Sequence, residues 1–493
     1  MLLLGIDIGT SSVKTCIIDA DTQQIIASAQ YPDEESPIIS LQSGWAEQTP
    51  DMWWEQTKQA LKRCHSTGKY NPDDIAAIGI AYQMHGLVLV DKQQKVLRNS
   101  IIWCDSRAVE LGDKAFEAIG HEVCLSHMLN SPGNFTASKL AWVKQNEPEI
   151  YAQIDKIMLP GDFIAMKLTG EITTSESALS EGIFFDFKNN SISEHVTKHY
   201  GFDSSLFAPV HPVFSSHGHV VASVAQDLGL KAGIPVTYKA GDQPNNALSL
   251  NILNPGEVAA TAGTSGVIYG VSDKLGFDPQ SRVNTFAHVN YTHDLKRLGV
   301  LLCINGTGSL YRWTKNLFGT AASYAQMNDE AKTVSLGSDG LRILPFGNGA
   351  ERMLNNKLIG VHLHHIDLNL HTRAHIFRAV QEGIACAFRY GLDIMRENGM
   401  NPTIIRAGKS NLFLSSLFTE TFVNVTGVPV ELYQNDGSAG AALGAGIGAG
   451  IFASPGEAFS NMHPLELIEP SAKTMEPVYA EWKDLLNKQL LIN

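Results

Sequence analysis

The chain has 493 residues, 44% of them hydrophobic and 18% charged. That length exceeds a single core and predicts two domains of about 240 residues each. Lys and Arg number 37 against 50 Asp and Glu, a net charge of −13, which argues against the basic surface that nonspecific nucleic-acid or anionic-membrane binding requires, but not against a small anion held by a few N–H groups.

Leu2 to Ile8 is apolar except for Asp7 and lacks the positive region of a signal peptide, so it reads as a strand. Gly9-Thr10-Ser11-Ser12 makes a tip, Val13 to Ile18 a second strand and Ile25 to Ala29 a third, together a β-meander. Thr49-Pro50-Asp51 opens a helix that should run to about Gly68, with proline at the first helical position and an acid in the first turn. Ile75 to Ala81 and Leu87 to Val90 read as strands flanking Gln83-Met84-His85-Gly86. Pro235 to Gly241 is a short strand that ends at Asp242, and Asn245 to Leu250 can start a helix. The domain boundary is placed there, giving residues 1–243 and 244–493.

The opening then recurs. Val258 to Ala262 leads into Gly263-Thr264-Ser265-Gly266 and Val267 to Tyr269, half the chain away from the first tip. A repeated strand–tip–strand at the start of each half predicts two related domains. Strands alternating with helices predict an α/β fold in each. Later come a helix around Arg378 to Asn398 and a Gly408-Lys409-Ser410-Asn411 loop opening another. The uncharged stretch Gly437 to Gly456 is mostly Gly and Ala, too poor in large apolar residues for a bilayer span, and is expected as a tightly packed buried helix. Six cysteines form no C-x-x-C pair, which points to reduced thiols in a cytoplasmic protein.

Tips of Gly, Thr and Ser suit phosphate, because the backbone can come close and successive N–H groups make an anion-binding concavity. One tip alone is better read as a plain turn; two could grip a polyphosphate from both sides. Asp7 in an apolar strand needs a partner, such as Mg²⁺ on a bound nucleotide, unless it merely caps its own turn. Asp242, between a strand and a helix at the junction, can accept the proton of an attacking hydroxyl. His85 and the stretch Trp103-Cys104-Asp105-Ser106-Arg107 offer the polar groups of a sugar site. Trp45, Trp53 and Trp54 read as core.

The motifs resemble those of the FGGY carbohydrate kinases along most of the chain. Leu4 to Lys14 is similar to the family's first phosphate motif, Gly44-Trp45-Ala46-Glu47-Gln48 to its next stretch, and Phe135 to Trp142 to its first signature. Leu159 to Phe163, Gly241-Asp242, Gly263 to Gly266 and Arg378 to Gly383 follow in order. The resemblance implies an α/β fold of two related ribonuclease H-like domains, of the actin/hexokinase/Hsp70 ATPase type, around an interdomain cleft. It implies ATP as co-substrate and Mg²⁺ as cofactor. By resemblance Asp242 is the base, Asp7 organises Mg²⁺, and Gly9, Thr10, Ser11, Ser12, Lys14, Gly263, Thr264, Ser265 and Gly266 hold phosphates. Gly408, Asn411 and Gly440 fall where the family places adenosine. Met84, His85, Gly86, Trp103, Asp105 and Asp242 would bind the sugar. The Gln-Met-His-Gly loop looks like that of members acting on D-xylulose, which would yield D-xylulose 5-phosphate. Ribulose, fuculose or gluconate as acceptor, and an ATPase acting on a protein partner, are the alternatives. A homodimer is implied by family habit. The chain departs from the family pattern at Arg406-Ala407-Gly408, at Asn348 to Leu354 and at Asn134.

Overall fold

The computed structural model of the chain describes residues 1–319, 323–471 and 475–492. The N-terminal apolar run is β1 (Leu2–Ile8), which turns through the first tip into antiparallel β2 (Val13–Asp19) and then β3 (Ile25–Tyr31). Strands β4 (Ile75–Tyr82) and β5 (Val236–Gly241) add in parallel, so the sheet runs β5-β4-β1-β2-β3.

The second half repeats this plan. β6 (Val258–Ala262) and β7 (Gly266–Ser272) form the second hairpin. The seven-stranded sheet also holds β8 (Asn284–Ala287), β9 (Leu298–Ile304), β10 (Ile405–Gly408), β11 (Val430–Tyr433) and β12 (Glu466–Ile468), in the order β8-β9-β7-β6-β10-β11-β12. Without edge strands β8 and β12, its order and strand directions are those of the first sheet. The repeated tip was therefore the visible part of a repeated α/β unit.

The helices that matter for the site are α1 (Pro50–His65), α2 (Thr136–Asn146), α3 (Pro160–Thr169) and α4 (Glu176–Glu181) from the first half. Helix α5 (Asp242–Ser249) follows β5. The second half supplies α6 (Gly308–Leu317), α7 (Arg373–Glu397) and α8 (Gly437–Gly448). Helix α1 starts as the sequence predicts, with Pro50 and Asp51 in its first turn and Lys62 and Arg63 in its last, where the helix dipole favours each charge.

Period-two alternation decides what covers each face of the first sheet. Leu2, Leu4, Ile6 and Ile8 share a core with Trp53 and Leu61 of α1 and Phe163 and Ile164 of α3. Leu3, Gly5 and Asp7 face the other way, toward α8. The small residues of α8 let its backbone rest on the strands. A β-carbon on Gly5 would stand 1.8 Å from the Ser438 carbonyl oxygen, and one on Gly79 2.0 Å from that of Ala441. The helix is shorter than the uncharged stretch suggests, because Gly450 takes up a left-handed conformation just beyond it. Among the described residues no helix is long and apolar enough to cross a membrane.

Helix α5 lies between the sheets, with Leu248 in the first-sheet cluster and Ala247 in that of the second. A division after residue 243 falls inside its first turn, and α8 crosses from the second half to cover the first sheet. The two halves thus interlock through two helices.

Candidate active site in the cleft between the halves

Both Gly-Thr-Ser tips are held rigidly. In the first, the Gly9 N–H donates to the Ser12 carbonyl at 3.0 Å. The Thr10 hydroxyl donates to Gln83 Oε1 at 3.1 Å and accepts from Trp103 Nε1 at 2.9 Å, while Gln48 Nε2 donates to the Thr10 carbonyl at 2.8 Å. Ser11 is exposed. In the second tip, the Gly308 N–H donates to the Gly263 carbonyl at 2.9 Å and the Thr307 hydroxyl to the same oxygen at 3.0 Å. A β-carbon on Gly308 would lie 2.3 Å from that oxygen. The Gly306-Thr307-Gly308 turn that opens α6 is thus a third glycine loop at the cleft, which the sequence reading passed over although its composition matches the other two.

Asp7, at the end of β1, and Asp242, just past the end of β5, flank β4 on parallel strands whose C-terminal ends align. Burial pushes the Asp7 carboxyl up to about 6; Lys14, its partner across the hairpin, works against this and Asp436 adds to it. Burial also pushes Asp242 up to about 7, with repulsion from Asp7 next in size and the Gln243 N–H opposing. Asp436 caps α8, accepting the Ser438 N–H at 2.8 Å. Asn245 Nδ2 of α5 donates to the Gly437 carbonyl at 2.8 Å. Three carboxylates therefore converge where the two interlocking helices meet.

The sugar-type residues gather on the first-half side. His85 stands in the left-handed region at φ 62°. Its Nδ1 lies 3.0 Å from the Glu181 carbonyl. Burial holds its pKa down to about 3, with Lys139 adding to the effect. A neutral imidazole facing a carbonyl must carry its proton on Nδ1, which leaves Nε2 as an acceptor. Lys139 of α2, fully buried, donates to the His85 carbonyl at 2.8 Å and to the Ile102 carbonyl at 3.0 Å. Phe135 and Phe286 pack on the His85 ring at 4.9 and 5.5 Å. Arg352 from the second half sits 5.7 Å over the Phe135 ring. Met84 is buried against Gly241.

The other expected residues each make contacts of their own. Trp103 is 52% exposed and tethers the first tip through Thr10. Asp105 is fully buried, and its carboxylate is taken up by the Ala46 N–H at 2.6 Å and by Arg107, whose guanidinium stacks on Trp45 at 3.8 Å. It holds the Gly44–Trp45 loop. Gly86 allows Pro160 to pack, since a β-carbon there would stand 2.7 Å from its Cγ. Gly440 lies on the face of α8 against Ser249 and Asn245. Asn411 lines a cavity of about 520 Å³ with Gly263, Thr264, Tyr311, Tyr324, Asn328 and Ser415. Tyr311 and Tyr324 stack at 5.6 Å there, and Tyr311 donates to Asn328 Oδ1 at 2.6 Å. Gly408 lies at the end of β10, packed beside Asn435.

Glu181, Lys139, Phe135, Phe286 and Arg352 were not singled out as site residues from the sequence. Phe135 and Lys139 stood in the stretch that resembles the family's first signature and Arg352 in the departing Asn348 to Leu354 loop, whereas Glu181 and Phe286 carried no signal. A separate group, His127, Asp186 and His195, has ligand-type atoms within 4.8 Å of one another. Its carboxylate already accepts from His127 Nδ1, Asn189 Nδ2 and the N–H groups of Lys188 and Asn189.

A doubled sheet of this topology, with one glycine tip per half beside the cleft, defines a two-domain protein of the ribonuclease H-like class, the fold of actin, hexokinase and Hsp70. The profile of the FGGY carbohydrate kinase N-terminal domain matches residues 2–249, and that of the C-terminal domain residues 258–453. The chain belongs to the FGGY family of carbohydrate kinases and is a sugar phosphotransferase that uses ATP. It is similar to the xylulose kinase of Escherichia coli K12, 28% identical over 481 residues, covering 95% of this chain and 94% of that one. The crystal structure of xylulose kinase from Rhodospirillum rubrum is 27% identical and superposes with a TM-score of 0.88 over 99% of both chains. Gluconate kinase from Lactobacillus acidophilus shares the fold, with a TM-score of 0.90 at 20% identity over 99% and 98% of the two chains.

Proposed function

We propose that this kinase transfers the γ-phosphoryl group of ATP to the terminal hydroxyl of D-xylulose, giving D-xylulose 5-phosphate and ADP. The observation that carries the reading is the packing of Met84 on Gly241, the residue before Asp242, next to a His85 whose ring is held by the Glu181 carbonyl. The xylulose kinases of Escherichia coli K12 and Rhodospirillum rubrum are also similar to the chain over nearly its whole length.

In this reading His85 Nε2 and the rims of Phe135 and Phe286 orient the ketose. Asp242 takes the proton of the attacking hydroxyl as the new O–P bond forms and the bond from γ-phosphorus to the bridging oxygen breaks, releasing ADP. The tips at Gly9 to Ser12 and Gly263 to Gly266, with Lys14, hold the phosphates. The Asn411 cavity takes the adenosine. Asp7 fits a hard divalent cation, because its raised carboxyl sits among carboxylates that such an ion would relieve. Mg²⁺ held there would neutralise charge on the phosphates. Closure about α5 then excludes water from the site.

The test is ADP release with Mg-ATP against D-xylulose, L-ribulose, glycerol and gluconate. Selective turnover of D-xylulose is the expected outcome. Preference for another acceptor would keep the chemistry and shift the specificity to the Asn348 to Leu354 loop, which brings Arg352 over Phe135.

A further inference from the structure

Helix α4 ends behind the sugar side of the cleft, and its last residue carries a buried carboxyl to which the mechanism gives no task. The Glu181 side chain is 3% exposed, and neither oxygen makes a hydrogen bond of good geometry, although the Tyr82 hydroxyl and the His85 N–H lie near it. Oε2 stands 3.2 Å from the position a β-carbon on Gly241 would occupy, against the backbone that leads into Asp242. On its other side the same oxygen lies 3.8 Å from His85 Nδ1, whose proton points to Glu181's own carbonyl. One carboxyl thus lies between the residue that would orient the sugar and the residue that would activate it.

The titratable and charged groups around it are Tyr82 of β4, His85, Lys139 of α2, Asp162 of α3, Asp242 of α5 and Tyr269 of β7. None supplies a counter-charge. Lys139 spends its ammonium on two carbonyls, and Asp162 is paired with the buried Lys239 at 2.5 Å. Among the described residues no Lys or Arg reaches Glu181 within ion-pair distance. A buried carboxylate with no cation and only the imperfect approach of the Tyr82 hydroxyl and the His85 N–H is disfavoured, whereas the neutral acid offers one donor and one acceptor.

We propose that Glu181 is a positioning residue for phosphoryl transfer. As a neutral carboxylic acid it fills the space between His85 and the Gly241–Asp242 backbone, fixes the imidazole with Nε2 free for the sugar, and keeps a further negative charge away from the base. This rests on the reading of His85 and Asp242 given above. Burial, opposed by the Tyr82 hydroxyl and the His85 N–H and aided by repulsion from Asp242 and Asp162, also holds the carboxyl well above its ordinary range. Ionising it at alkaline pH would draw the Nδ1 proton of His85 from the carbonyl toward Oε2 and loosen the sugar.

The test compares wild type with Glu181→Gln, which keeps the shape without the charge, and Glu181→Leu, which keeps only the volume. Wild-type kcat/KM for the ketose is expected to fall tenfold or more on the alkaline side while KM for ATP holds. Glu181→Gln should keep at least half the activity at pH 7 and lose the alkaline limb. Glu181→Leu should raise KM for the ketose about tenfold with KM for ATP unchanged. An alkaline limb identical in wild type and Glu181→Gln, or an unchanged ketose KM in Glu181→Leu, overturns the proposal. A second measurement does not depend on turnover: infrared difference spectra at pH 7 should show a protonated-carboxyl C=O band in wild type that Glu181→Gln lacks. Absence of that band overturns the proposal too. A chain that phosphorylates no ketose yet shows the band would instead remove the functional reading and leave the charge state of Glu181 established.

Discussion

A β-carbon on Gly437 would stand 2.3 Å from Oδ2 of Asp7. The carboxylate is pressed against the first turn of α8, and only a glycine permits it. Gly437→Ala should therefore displace Asp7 from the phosphate side of the cleft. A misplacement of about 1 Å costs roughly a hundredfold in rate. The expected outcome is a fall in kcat of that order with KM for the sugar little changed, read by steady-state kinetics with both substrates varied. A variant with wild-type kcat would separate Asp7 from the chemistry.

Asp242 must be ionised to accept a proton, and its raised pKa sets where that happens. Below about 7 the carboxyl is protonated, so kcat/KM for the sugar should fall about tenfold per pH unit on the acid side. Asp242→Asn should lower kcat by about 10² to 10⁴ and leave ATP binding intact by calorimetry. The same shift has a stability sign. The folded protein holds this proton more tightly than the unfolded chain, so stability contributed by the protonated group is lost as pH rises from about 4 toward 7. Asp242→Asn should flatten that part of the stability profile.

Burial holds the Lys139 pKa down to about 7, against about 10.4 in an unfolded chain. Between those values the unfolded state binds more protons, so stability should rise with pH there. Lys139→Met should abolish this slope. It should also leave the His85 and Ile102 carbonyls without their donor, at about 1–3 kcal/mol each. KM for the sugar should rise as the His85 loop slackens. A slope unchanged in the Met variant would assign it to other groups.

The contact of α8 with the first sheet is backbone on backbone. Gly79→Ala has no flexible atom to push aside, so the helix itself must move. Overpacking of this kind costs about 3 kcal/mol. Chemical denaturation should show the loss, with Gly5→Ala at least as severe. Gly256→Ala gives the contrast: its β-carbon meets nothing within 4 Å, but its φ is positive, so the cost there is backbone strain alone.

Much of this was legible in sequence where the determinants are local. Gly9 and Gly263 announce turns, Asp7 breaks an apolar strand, and Pro50 fixes a helix start. Period-two alternation would even have put Asp7 on the face of Gly5. What sequence could not supply was the identity of the opposing surface. Ser438 and Ala441 meet Gly5 and Gly79 across some 360 residues or more, and nothing local encodes that pairing. Asp105 looked like a sugar ligand because its pentapeptide carries the right polar groups. Its carboxylate is taken up by Arg107 two residues on and by Ala46, a choice made by burial. Nothing in the sequence around Glu181 sets it apart, and only the fold brings it behind His85.

The crossing of α8 also has a consequence for biosynthesis. When β5 has left the ribosome, Leu3, Ala77, Ala81 and Ala240 form an apolar face with nothing to cover it. Its lid is about 200 residues further along the chain. At 5–20 residues per second the nascent sheet waits roughly 10–40 s for that lid. Residues 1–249 made alone should accordingly be sticky and incompletely folded, so that the first half to be synthesised is among the last to be finished.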